Sequence, residues 1–295
     1  MSTGTRLRIG ITLGDPEGIG PEITAKALSA LKRIPAHFTV IGDSSFSATR
    51  HRSTAAGGRA SIAFLDEALR LLREKKIDCL VTCPISKESL HLAGFGYRGH
   101  TEYFAAKSGA RNPVMMLLNG ALRISLVTRH IPLKDVPEKI TASVLKATIE
   151  TSVDALKRMF GVRRPRVVVC GVNPHASDNG VIGNEEKKVV IPLLERLRRR
   201  VPCLDGPFSA DVAVYRAARG GYDCVIAMYH DQALIPLKLQ GNEAGVNCTL
   251  GLPFVRTSPL HGTAFDIAGS GRADPSSLIA AIRCARTCTL NLKNR

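Results

Sequence analysis

Short runs of apolar residues alternate along the chain with longer segments in which apolar residues recur at every third or fourth position. The helical spacing is clearest at Leu65, Ala68, Leu69 and Leu72, which would share one face of a helix. The short apolar runs predict strands at 8–13, 38–41, 77–82, 124–128, 167–172 and 224–229. Because helices that alternate with strands usually connect parallel neighbours, the pattern predicts an α/β protein with a largely parallel sheet.

Polar positions between these elements predict where helices begin and where the chain forms loops. Pro21 predicts a helix start, because proline suits the first helical turn. The residues GHTE (99–102) open another amphipathic run. Thr101 therefore either caps a helix or lies where the free N–H groups of a helix start bind an anion. The polar, glycine-containing segment 44–60 is predicted to be a loop.

The 295 residues suffice for one large domain or two of ordinary size, and 44% of them are hydrophobic, enough for a core. No apolar stretch reaches the roughly 18 residues that a membrane span needs. The basic N-terminus is not followed by the apolar segment of a signal peptide. We therefore expect a cytoplasmic protein with no membrane partner. None of the eight cysteines forms a C-x-x-C pair, so we expect reduced thiols in the core.

The formal net charge of +16 allows two interpretations, a surface that binds nucleic acid or a basic protein that binds an anionic small molecule. The densest basic run, at 196–200, ends an amphipathic segment, where cations complement the helix dipole. Aromatic residues make up only 5%, and no RNA-recognition motif or zinc finger is present. We therefore expect no nucleic-acid partner. A nucleic-acid-binding protein with structural histidines stays as the alternative from another functional class.

Three of the predicted strands are followed closely by a histidine, at His130, His175 and His230. Ligands of open α/β sheets bind beyond the carboxyl ends of the strands, where these imidazoles could converge. Imidazole is the commonest transition-metal ligand, and three protein ligands with one open position describe a catalytic metal site. The alternative is that each histidine only caps a strand. Asp231 either orients His230 as a ligand or starts the next helix.

Glycines follow the first predicted strand in GDPEGIGPE (14–22), where they allow a tight turn and the close approach of a ligand. This turn is not G-x-G-x-x-G, and the chain has no P-loop sequence, so neither nucleotide-binding motif is supported. Lys238, Asn247 and Arg256 are further candidate contacts, because an arginine can hold a phosphate or carboxylate through two hydrogen bonds. The alternative for the two cations is an exposed surface position.

Six motifs carry a more specific signal: GHTE (99–102), TRHIPL (128–133), VNPHA (172–176), AMYHDQ (227–232), VNCTLGLPFVRTS (246–258) and HGTAFDIAG (261–269). Together they resemble the 4-hydroxythreonine-4-phosphate dehydrogenase family of vitamin B6 synthesis, from about residue 8 to about residue 290. The turn at 14–22 and the loop at 261–269 also resemble motifs of the wider superfamily of isocitrate and isopropylmalate dehydrogenases.

The resemblance implies two α/β/α domains, 1–95 with 236–295 and 96–235, and an active site in the interdomain cleft at a homodimer interface. It implies a divalent metal, zinc first and magnesium, manganese or cobalt as alternatives, on His130, His175 and His230. It implies NAD or NADP, with the adenosine near His261, Gly262, Thr263, Ala264 and Asp266. It places substrate contacts at His100, Thr101, Lys238, Asn247 and Arg256.

The resemblance further implies oxidation of 4-phosphooxy-L-threonine to 2-amino-3-oxo-4-phosphooxybutanoate, which loses CO₂ to give 3-amino-2-oxopropyl phosphate. Asp211 or a metal-bound water would act as the base, and the metal and Lys238 would stabilise the enolate. A paralogous dehydrogenase of D-threonate or D-erythronate 4-phosphate would keep every motif and is the alternative. A relative that acts on aromatic dihydrodiols lacks GHTE and the arginine of FVRTS, so their presence here favours a phosphorylated substrate.

The chain departs from the family pattern at three places. It is shorter around 44–60, where we expect a trimmed domain edge. Val212 stands beside Asp211 where the family has threonine, and Asp274 stands where the superfamily often has the asparagine that contacts adenine.

Overall fold

The computed structural model of the protein describes residues 6–43, 52–97, 99–241 and 244–294. The strands are β1 (Leu7–Thr12), β2 (Ala36–Ile41), β3 (Cys79–Thr82), β4 (Val114–Asn119), β5 (Leu122–Leu126), β6 (Val167–Cys170), β7 (Leu204–Phe208), β8 (Cys224–Ala227), β9 (Val246–Leu250) and β10 (Val255–Pro259). The α-helices are α1 (Gly20–Ala30), α2 (Ala55–Arg73), α3 (Lys87–Leu92), α4 (His100–Ser108), α5 (Val136–Lys139), α6 (Ala142–Arg158), α7 (Ile191–Arg198), α8 (Ala210–Ala218), α9 (His230–Leu239) and α10 (Ser276–Lys293). Within the described ranges, no helix combines the length and the apolar character that crossing a membrane requires.

The chain forms two compact units, one from the described residues of 1–110 and 242–294 and the other from 111–241. The sequence placed these two boundaries earlier, after residues 95 and 235. The first boundary lies later because α4 belongs to the first unit, where its Tyr103 and Phe104 are buried with Leu65 and Leu69 of α2. The second lies later because the whole of α9 belongs to the second unit and packs on β4, β5 and β8.

In the described part of the first unit, five strands form a mixed sheet in the order β2-β1-β3-β10-β9. β1 is parallel to β2 and β3, and β3 is parallel to β10, whereas β9 runs antiparallel to β10. The helix α10 packs on β3, β9 and β10. Because β1 and β10 point the same way, the turn at 14–22 and the loop at 261–269 both begin at the carboxyl edge of this sheet.

In the described part of the second unit, the strand order is β4-β5-β8-β6-β7, and only β4 and β5 are antiparallel. The prediction of an α/β protein is confirmed, and within each unit the strands are parallel except for one pair. The strands before the three histidines end earlier than predicted, at Leu126, Cys170 and Ala227. Those strands are parallel neighbours, so the segments that follow them leave the sheet at one edge.

The predicted helices at Pro21 and at 65–72 are confirmed by α1 and α2, but the loop predicted for 44–60 is wrong at its end. Residues 44–51 lie outside the described residues, and α2 already begins at Ala55. The Thr54 hydroxyl caps this helix by accepting from the Gly57 N–H at 2.9 Å. Gly58 serves close packing, because a Cβ there would lie 2.0 Å from the Ser89 carbonyl oxygen. Glycine needed for contact was thus mistaken for glycine needed for a turn.

The cysteines form no disulfide in the described residues, and six of the eight are buried, as expected of core thiols. Burial raises the pKa of Cys79 to about 11 and that of Cys83 to about 12, which keeps both protonated at neutral pH. Cys203 departs from the expectation, since it lies exposed in the loop between α7 and β7.

Candidate active site

Two of the three histidines lie side by side in the second unit. β5 and β8 are parallel neighbours, and their pairing continues past the strands, where the Thr128 N–H donates to the Met228 carbonyl at 3.1 Å. The Thr128 hydroxyl donates to the same carbonyl at 2.6 Å. This continued pairing brings the rings of His130 and His230 to a centroid distance of 5.5 Å, with their planes at 51°.

His230 is oriented by the residue that follows it. It is the first residue of α9, and its Nδ1 lies 2.7 Å from the Asp231 carboxylate. Asp231 does not cap α9, because the N-cap is Tyr229 and no side chain makes a capping hydrogen bond. Of the two roles considered for Asp231, the structure therefore shows the one that orients the imidazole. A carboxylate on one ring nitrogen leaves the other for a ligand, as in most metal-binding histidines.

His175 lies in a stretch of left-handed backbone after β6. Residues 175–179 all have positive φ, 53° at His175, a conformation that L-residues rarely adopt. Such backbone persists only where surrounding contacts hold it. Here the buried Glu186 carboxylate accepts from the N–H groups of Val172 at 2.7 Å and Asn173 at 2.8 Å. Glu186 was missed by the sequence reasoning, because it looked like one more charge on an amphipathic helix.

Gln232, which the AMYHDQ motif contains without an assigned role, ties the ends of β6 and β8 together. Its side-chain oxygen accepts from the Met228 N–H at 2.8 Å, and its amide donates to the Gly171 carbonyl at 3.0 Å. Even so, no three His, Cys, Asp or Glu side chains in the described ranges are arranged to hold a metal ion. The structure brings His130 and His230 together but does not place His175 in a triad with them.

Asp211 and Lys238, the two predicted catalytic groups, are exposed on the second unit. Asp211 lies in the first turn of α8, close enough to the end of β6 to influence Cys170. Burial, and after it the charges of Cys224 and Asp211, raise the pKa of Cys170 to about 12. Lys238 lies in the last turn of α9. Neither side chain forms an ion pair within the part of the chain that is described, so both charges are available to a ligand.

Arg256 is a deeply buried cation of the first unit, with 1% of its surface exposed. Its guanidinium donates to two hydroxyl groups, from Nε and Nη2 to Thr82 and from Nη1 to Thr249 at 3.0 Å. Burial lowers the pKa of Arg256 to about 10, so the group stays charged at neutral pH. No carboxylate forms an ion pair with it among the described residues, and the charge of Glu102 acts on it only from beyond ion-pair distance. A buried cation without a counter-ion is costly, which makes this position a candidate anion site.

Two further predicted substrate contacts, both in the first unit, carry unsatisfied polar atoms. The Nε2 of His100 and the Oδ1 of Asn247 are buried and have no hydrogen-bond partner among the described residues. Burial and the Arg256 charge hold the pKa of His100 well below its usual value, so the imidazole is neutral. Asn247 lies on β9 two residues from Thr249, on the same face of the strand. Thr101 is buried inside α4, whose N-cap is Gly99, so it does not cap the helix.

The glycine-rich turn at 14–22 and the loop at 261–269 form one contact in the first unit. The Ile19 N–H donates to the Thr263 carbonyl at 2.9 Å, and a Cβ on Gly18 would lie 2.8 Å from that same oxygen. Glu22 extends the contact by accepting from the Ala273 N–H at 2.9 Å. The two motifs that resemble the wider superfamily are therefore parts of one structure, which their separation in the sequence had concealed.

The predicted cofactor loop offers an unsatisfied donor or acceptor and open space. The Nε2 of His261 is buried without a partner in the described ranges, and its Nδ1 lies 3.1 Å from the Gly262 carbonyl. A Cβ on Gly262 would meet no atom within 4 Å. The Asp274 carboxylate is already engaged elsewhere, because it accepts a hydrogen bond from the Ser276 N–H at 3.0 Å at the start of α10. This hydrogen bond, together with one from the Ser276 hydroxyl at 2.7 Å, occupies the carboxylate.

Asp15, inside the glycine-rich turn, is a buried carboxyl group that the sequence reasoning did not single out. Its Oδ1 accepts from the Glu17 N–H at 3.1 Å. Its Oδ2 is buried and finds no hydrogen-bond partner in the described part of the chain, and burial raises the pKa of Asp15. Only burial distinguishes this aspartate from the exposed ones, and burial could not be inferred from the turn sequence.

Known proteins resemble this chain along nearly its whole length. The profile of the family described as "Pyridoxal phosphate biosynthetic protein PdxA" matches residues 20–285. A 4-hydroxythreonine-4-phosphate dehydrogenase of Sulfurihydrogenibium sp. (strain YO3AOP1) is 39% identical, over 95% of this chain and 97% of its own. A D-threonate 4-phosphate dehydrogenase of Cupriavidus necator is 41% identical, over 93% of this chain and 95% of its own.

Solved structures agree with these matches. The 4-hydroxythreonine-4-phosphate dehydrogenase of Klebsiella pneumoniae superposes with a TM-score of 0.84 at 34% identity, covering 98% of this chain and 99% of its own. The isocitrate dehydrogenase of Methylococcus capsulatus superposes with a TM-score of 0.56 at 16% identity, covering 98% of this chain and 85% of its own. The second likeness shows a common fold alone, and it confirms the fold that the sequence motifs implied.

Proposed function

The chain belongs to the family of pyridoxal phosphate biosynthetic protein PdxA, and we propose that it is the NAD-dependent dehydrogenase of 4-phosphooxy-L-threonine in vitamin B6 synthesis. The product, 2-amino-3-oxo-4-phosphooxybutanoate, is a β-keto acid that loses CO₂ to give 3-amino-2-oxopropyl phosphate. The proposed enzyme is a cytoplasmic homodimer. The observation that supports it most is the buried guanidinium of Arg256, which has hydroxyl partners but no carboxylate among the described residues.

The substrate phosphate is assigned to this guanidinium. A phosphate would give Arg256 a counter-ion in direct contact, and the planar guanidinium suits two oxygens of one phosphate group. The unsatisfied Nε2 of His100 and the start of α4 at Thr101 support the same assignment, because a helix start offers free N–H groups to an anion. Asn247 would hold a polar group of the substrate. Remote binding of this kind holds the reacting carbon in place and raises the chemical rate.

A divalent metal is assigned to His130, His175 and His230. Two observations favour this assignment. The rings of His130 and His230 approach to 5.5 Å, and a carboxylate orients His230. Zinc is the first choice for three imidazoles, and magnesium, manganese or cobalt would bind with additional water ligands. The metal, when bound, lowers the pKa of the substrate hydroxyl. Since one chain's described residues assemble only a pair, the third ligand is proposed to come from the partner subunit.

Asp211 and Lys238 are assigned the proton and charge transfers. The Asp211 carboxylate accepts the proton of the substrate hydroxyl as a general base, while the hydrogen on the same carbon leaves with its electron pair. In the second step the bond to the carboxylate breaks, and its electron pair moves onto the new carbonyl as an enolate. The Lys238 ammonium group stabilises that enolate oxygen. The exposure of both charges supports these roles.

The loop that carries His261, Gly262, Thr263, Ala264 and Asp266 is assigned to the adenosine of NAD or NADP. The unsatisfied Nε2 of His261 and the open space at Gly262 support the assignment. The nicotinamide ring supplies the hydride acceptor when the cofactor is bound. Asp274 is left out of the adenine contact, because its carboxylate already accepts hydrogen bonds from Ser276 at the start of α10.

An assay of NADH formation tests the proposed function. The substrates are 4-phosphooxy-L-threonine, D-threonate 4-phosphate and D-erythronate 4-phosphate, each with NAD or NADP and with metal added or chelated. We expect 4-phosphooxy-L-threonine to give the highest kcat/KM and chelation to abolish turnover. The second candidate is favoured by the 41% identity to a D-threonate 4-phosphate dehydrogenase. A higher kcat/KM on D-threonate 4-phosphate would replace the first assignment.

Nucleic-acid binding receives no support from the basic run at 196–200. Arg198 donates to the Leu204 carbonyl at 3.1 Å and to the Gly206 carbonyl at 2.8 Å, and Arg196 donates to the Pro192 carbonyl. These cations therefore bind backbone carbonyls of α7 and β7, as basic residues at a helix end commonly do. A salt-dependent shift of DNA or RNA without any NADH formation would reverse this conclusion.

A further inference from the structure

A cavity lies in the first unit, at the amino edge of its sheet. The cavity has a volume of about 750 Å³, and it is lined at the starts of β1, β3 and β10 and at the ends of α2, α4 and α10. Small-molecule sites commonly have volumes of about 300 to 1,000 Å³. None of the residues assigned above to substrate, metal or NAD lines this cavity, although the lining residue Val255 directly precedes Arg256 on β10.

Part of the lining is apolar and well anchored. Leu69 and Ile77 are buried in the core of the first unit, and Leu72 and Phe254 pack against that core while lining the cavity. Leu292, near the end of α10, adds another aliphatic side chain. An aromatic or aliphatic body placed here would remove apolar surface from water, which is the main source of affinity in such sites.

The rest of the lining is strongly basic. Among the described residues, Asp78 is the only carboxylate in the lining, and five cationic side chains lie there with it: Arg8, Arg73, Lys75, Lys107 and Lys293. Asp78 is already engaged, since its Oδ1 lies 2.8 Å from both the Arg8 guanidinium and the Lys293 ammonium group. With Asp78 counted, the described lining residues therefore carry a net charge of four positive units.

Three of these cations have no acidic partner in the described residues. Arg73 donates only to the Lys107 backbone carbonyl, at 3.1 Å, and the Lys107 ammonium group lies 5.9 Å from the centre of the Tyr103 ring. Lys75 forms no ion pair within the same ranges. Ser108 also lines the cavity, and its hydroxyl is buried without a hydrogen-bond partner there. The site thus holds unbalanced positive charge together with an unsatisfied hydroxyl.

Helix dipoles account for only part of this charge. The helices α2, α4 and α10 end at the cavity, and each helix end carries about half a negative charge, so together they offset about 1.5 positive charges. A net lining charge of four would still leave about 2.5 positive charges without a counter-ion. That remainder suits a dianionic group better than a carboxylate.

We propose that this cavity is a second ligand site, which binds a small phosphate ester with an apolar body. The phosphate would lie among Arg73, Lys75 and Lys107, and the body would lie against Leu72, Phe254 and Leu292. Such a ligand differs in chemistry from the polar four-carbon substrate proposed above. The site does not depend on the proposed dehydrogenase function, because no residue is common to both.

Binding of 4-bromophenyl phosphate to the full chain, measured by titration calorimetry, tests the proposal. The double variant Lys75→Gln/Lys107→Gln should bind it roughly tenfold more weakly, because two unbalanced cations are lost. The matched control Lys32→Gln/Arg33→Gln removes the same charge from exposed positions outside the cavity and should change affinity less than about twofold. Equal affinity in the two double variants would overturn the proposal.

Two further measurements separate this site from others. Inorganic phosphate and 4-bromophenol should each bind at least about tenfold more weakly than the ester, since each lacks one half of the ligand. Equal binding of inorganic phosphate would overturn the assigned ligand class. In crystals soaked with the ester, the anomalous signal of bromine should appear beside Leu72 and Phe254. A bromine peak confined to the surroundings of Arg256 would place the ligand in the proposed active site instead and would overturn the second site.

Discussion

The Nε and Nη2 atoms of Arg256 both donate to a single oxygen, the hydroxyl of Thr82, at 3.1 and 2.5 Å. Thr82 ends β3, and Arg256 lies on the neighbouring parallel strand β10. A neutral hydroxyl fixes the direction of the guanidinium without cancelling its charge, so the cation keeps its attraction for an anion. This arrangement is the main reason to place the substrate phosphate at Arg256.

Thr82→Val should lower both stability and activity, with Thr82→Ser as the control. Valine leaves two buried N–H groups of Arg256 unsatisfied, which costs about 1 to 3 kcal/mol of unfolding free energy. Serine keeps the hydroxyl and should lose less than about 1 kcal/mol, largely through the missing methyl group. Urea unfolding measures the first effect, and kcat/KM on 4-phosphooxy-L-threonine should fall in the valine variant alone. A valine variant that matches the serine variant in both measurements would remove Thr82 from this role.

Asp231→Asn should weaken metal binding while leaving the fold intact. Asparagine keeps the shape of the side chain but loses the charge that favours the imidazole N–H at 2.7 Å. Loss of such an orienting carboxylate usually costs about 10-fold to 100-fold in metal affinity. Zinc affinity is measured by competition with a chromogenic chelator. Asp154→Asn, which removes an exposed charge paired with Arg158 on α6, is the control and should bind zinc as the wild type does.

Mixing two inactive variants should restore activity if each metal site takes His175 from the partner subunit. His130→Ala and His175→Ala homodimers should both be inactive, because each site lacks one ligand. In a mixed dimer one of the two sites would contain all three histidines. Random mixing of equal amounts should therefore recover about a quarter of wild-type activity, since half of the dimers are mixed and each has one intact site.

The same experiment has a clear opposite outcome. If all three histidines of a site belong to one chain, every site in a mixed dimer lacks either His130 or His175, and the mixture stays inactive. A mixture of His130→Ala with His230→Ala is the control. These two residues already lie together in one chain, so this pair should not restore activity under either arrangement.

Asp78→Asn should destabilise the protein at neutral pH but not in acid. Despite the opposing effect of burial, hydrogen bonds from Arg8 and Lys293 hold the pKa of Asp78 below its usual value. A carboxyl group with a lowered folded-state pKa stabilises fully above its unfolded pKa of about 3.9, and this contribution disappears as the pH falls towards the folded pKa. The variant should lose about 1 to 2 kcal/mol near pH 7. Urea unfolding at several pH values should show that the difference in unfolding free energy between wild type and variant narrows only below about pH 4. A difference that does not depend on pH would contradict the ion pairs.

Much of the architecture could be predicted from local pattern. The strands before His130, His175 and His230 and the helix at 65–72 follow from apolar periodicity, which reports the environment of each residue directly. The prediction failed at 55–60, because Gly57 and Gly58 permit close contact inside a helix rather than a turn. The neighbouring positions of His130 and His230 also followed, since parallel strands end at the same edge of a sheet.

The polar residues that build the candidate site could be predicted only in part. Motif resemblance singled out Arg256, His100 and Asn247, but it did not reveal that they are buried with unsatisfied atoms. Glu186 and Thr82 were missed entirely. Both act through the residues they contact, and nothing in the residues beside them in the sequence marks them as different from ordinary surface or strand positions.

The sequence by itself determined the α/β class, the family and the residue types that the chemistry needs, because periodicity and motifs are local properties of the chain. The tertiary structure decided which charges are buried and what they touch. Arg256 meets Thr82 across 174 residues of sequence, and the contact exists only because β3 and β10 become neighbours. The desolvation cost of a charged residue depends on such distant partners, so its role can be recognised only in the folded structure.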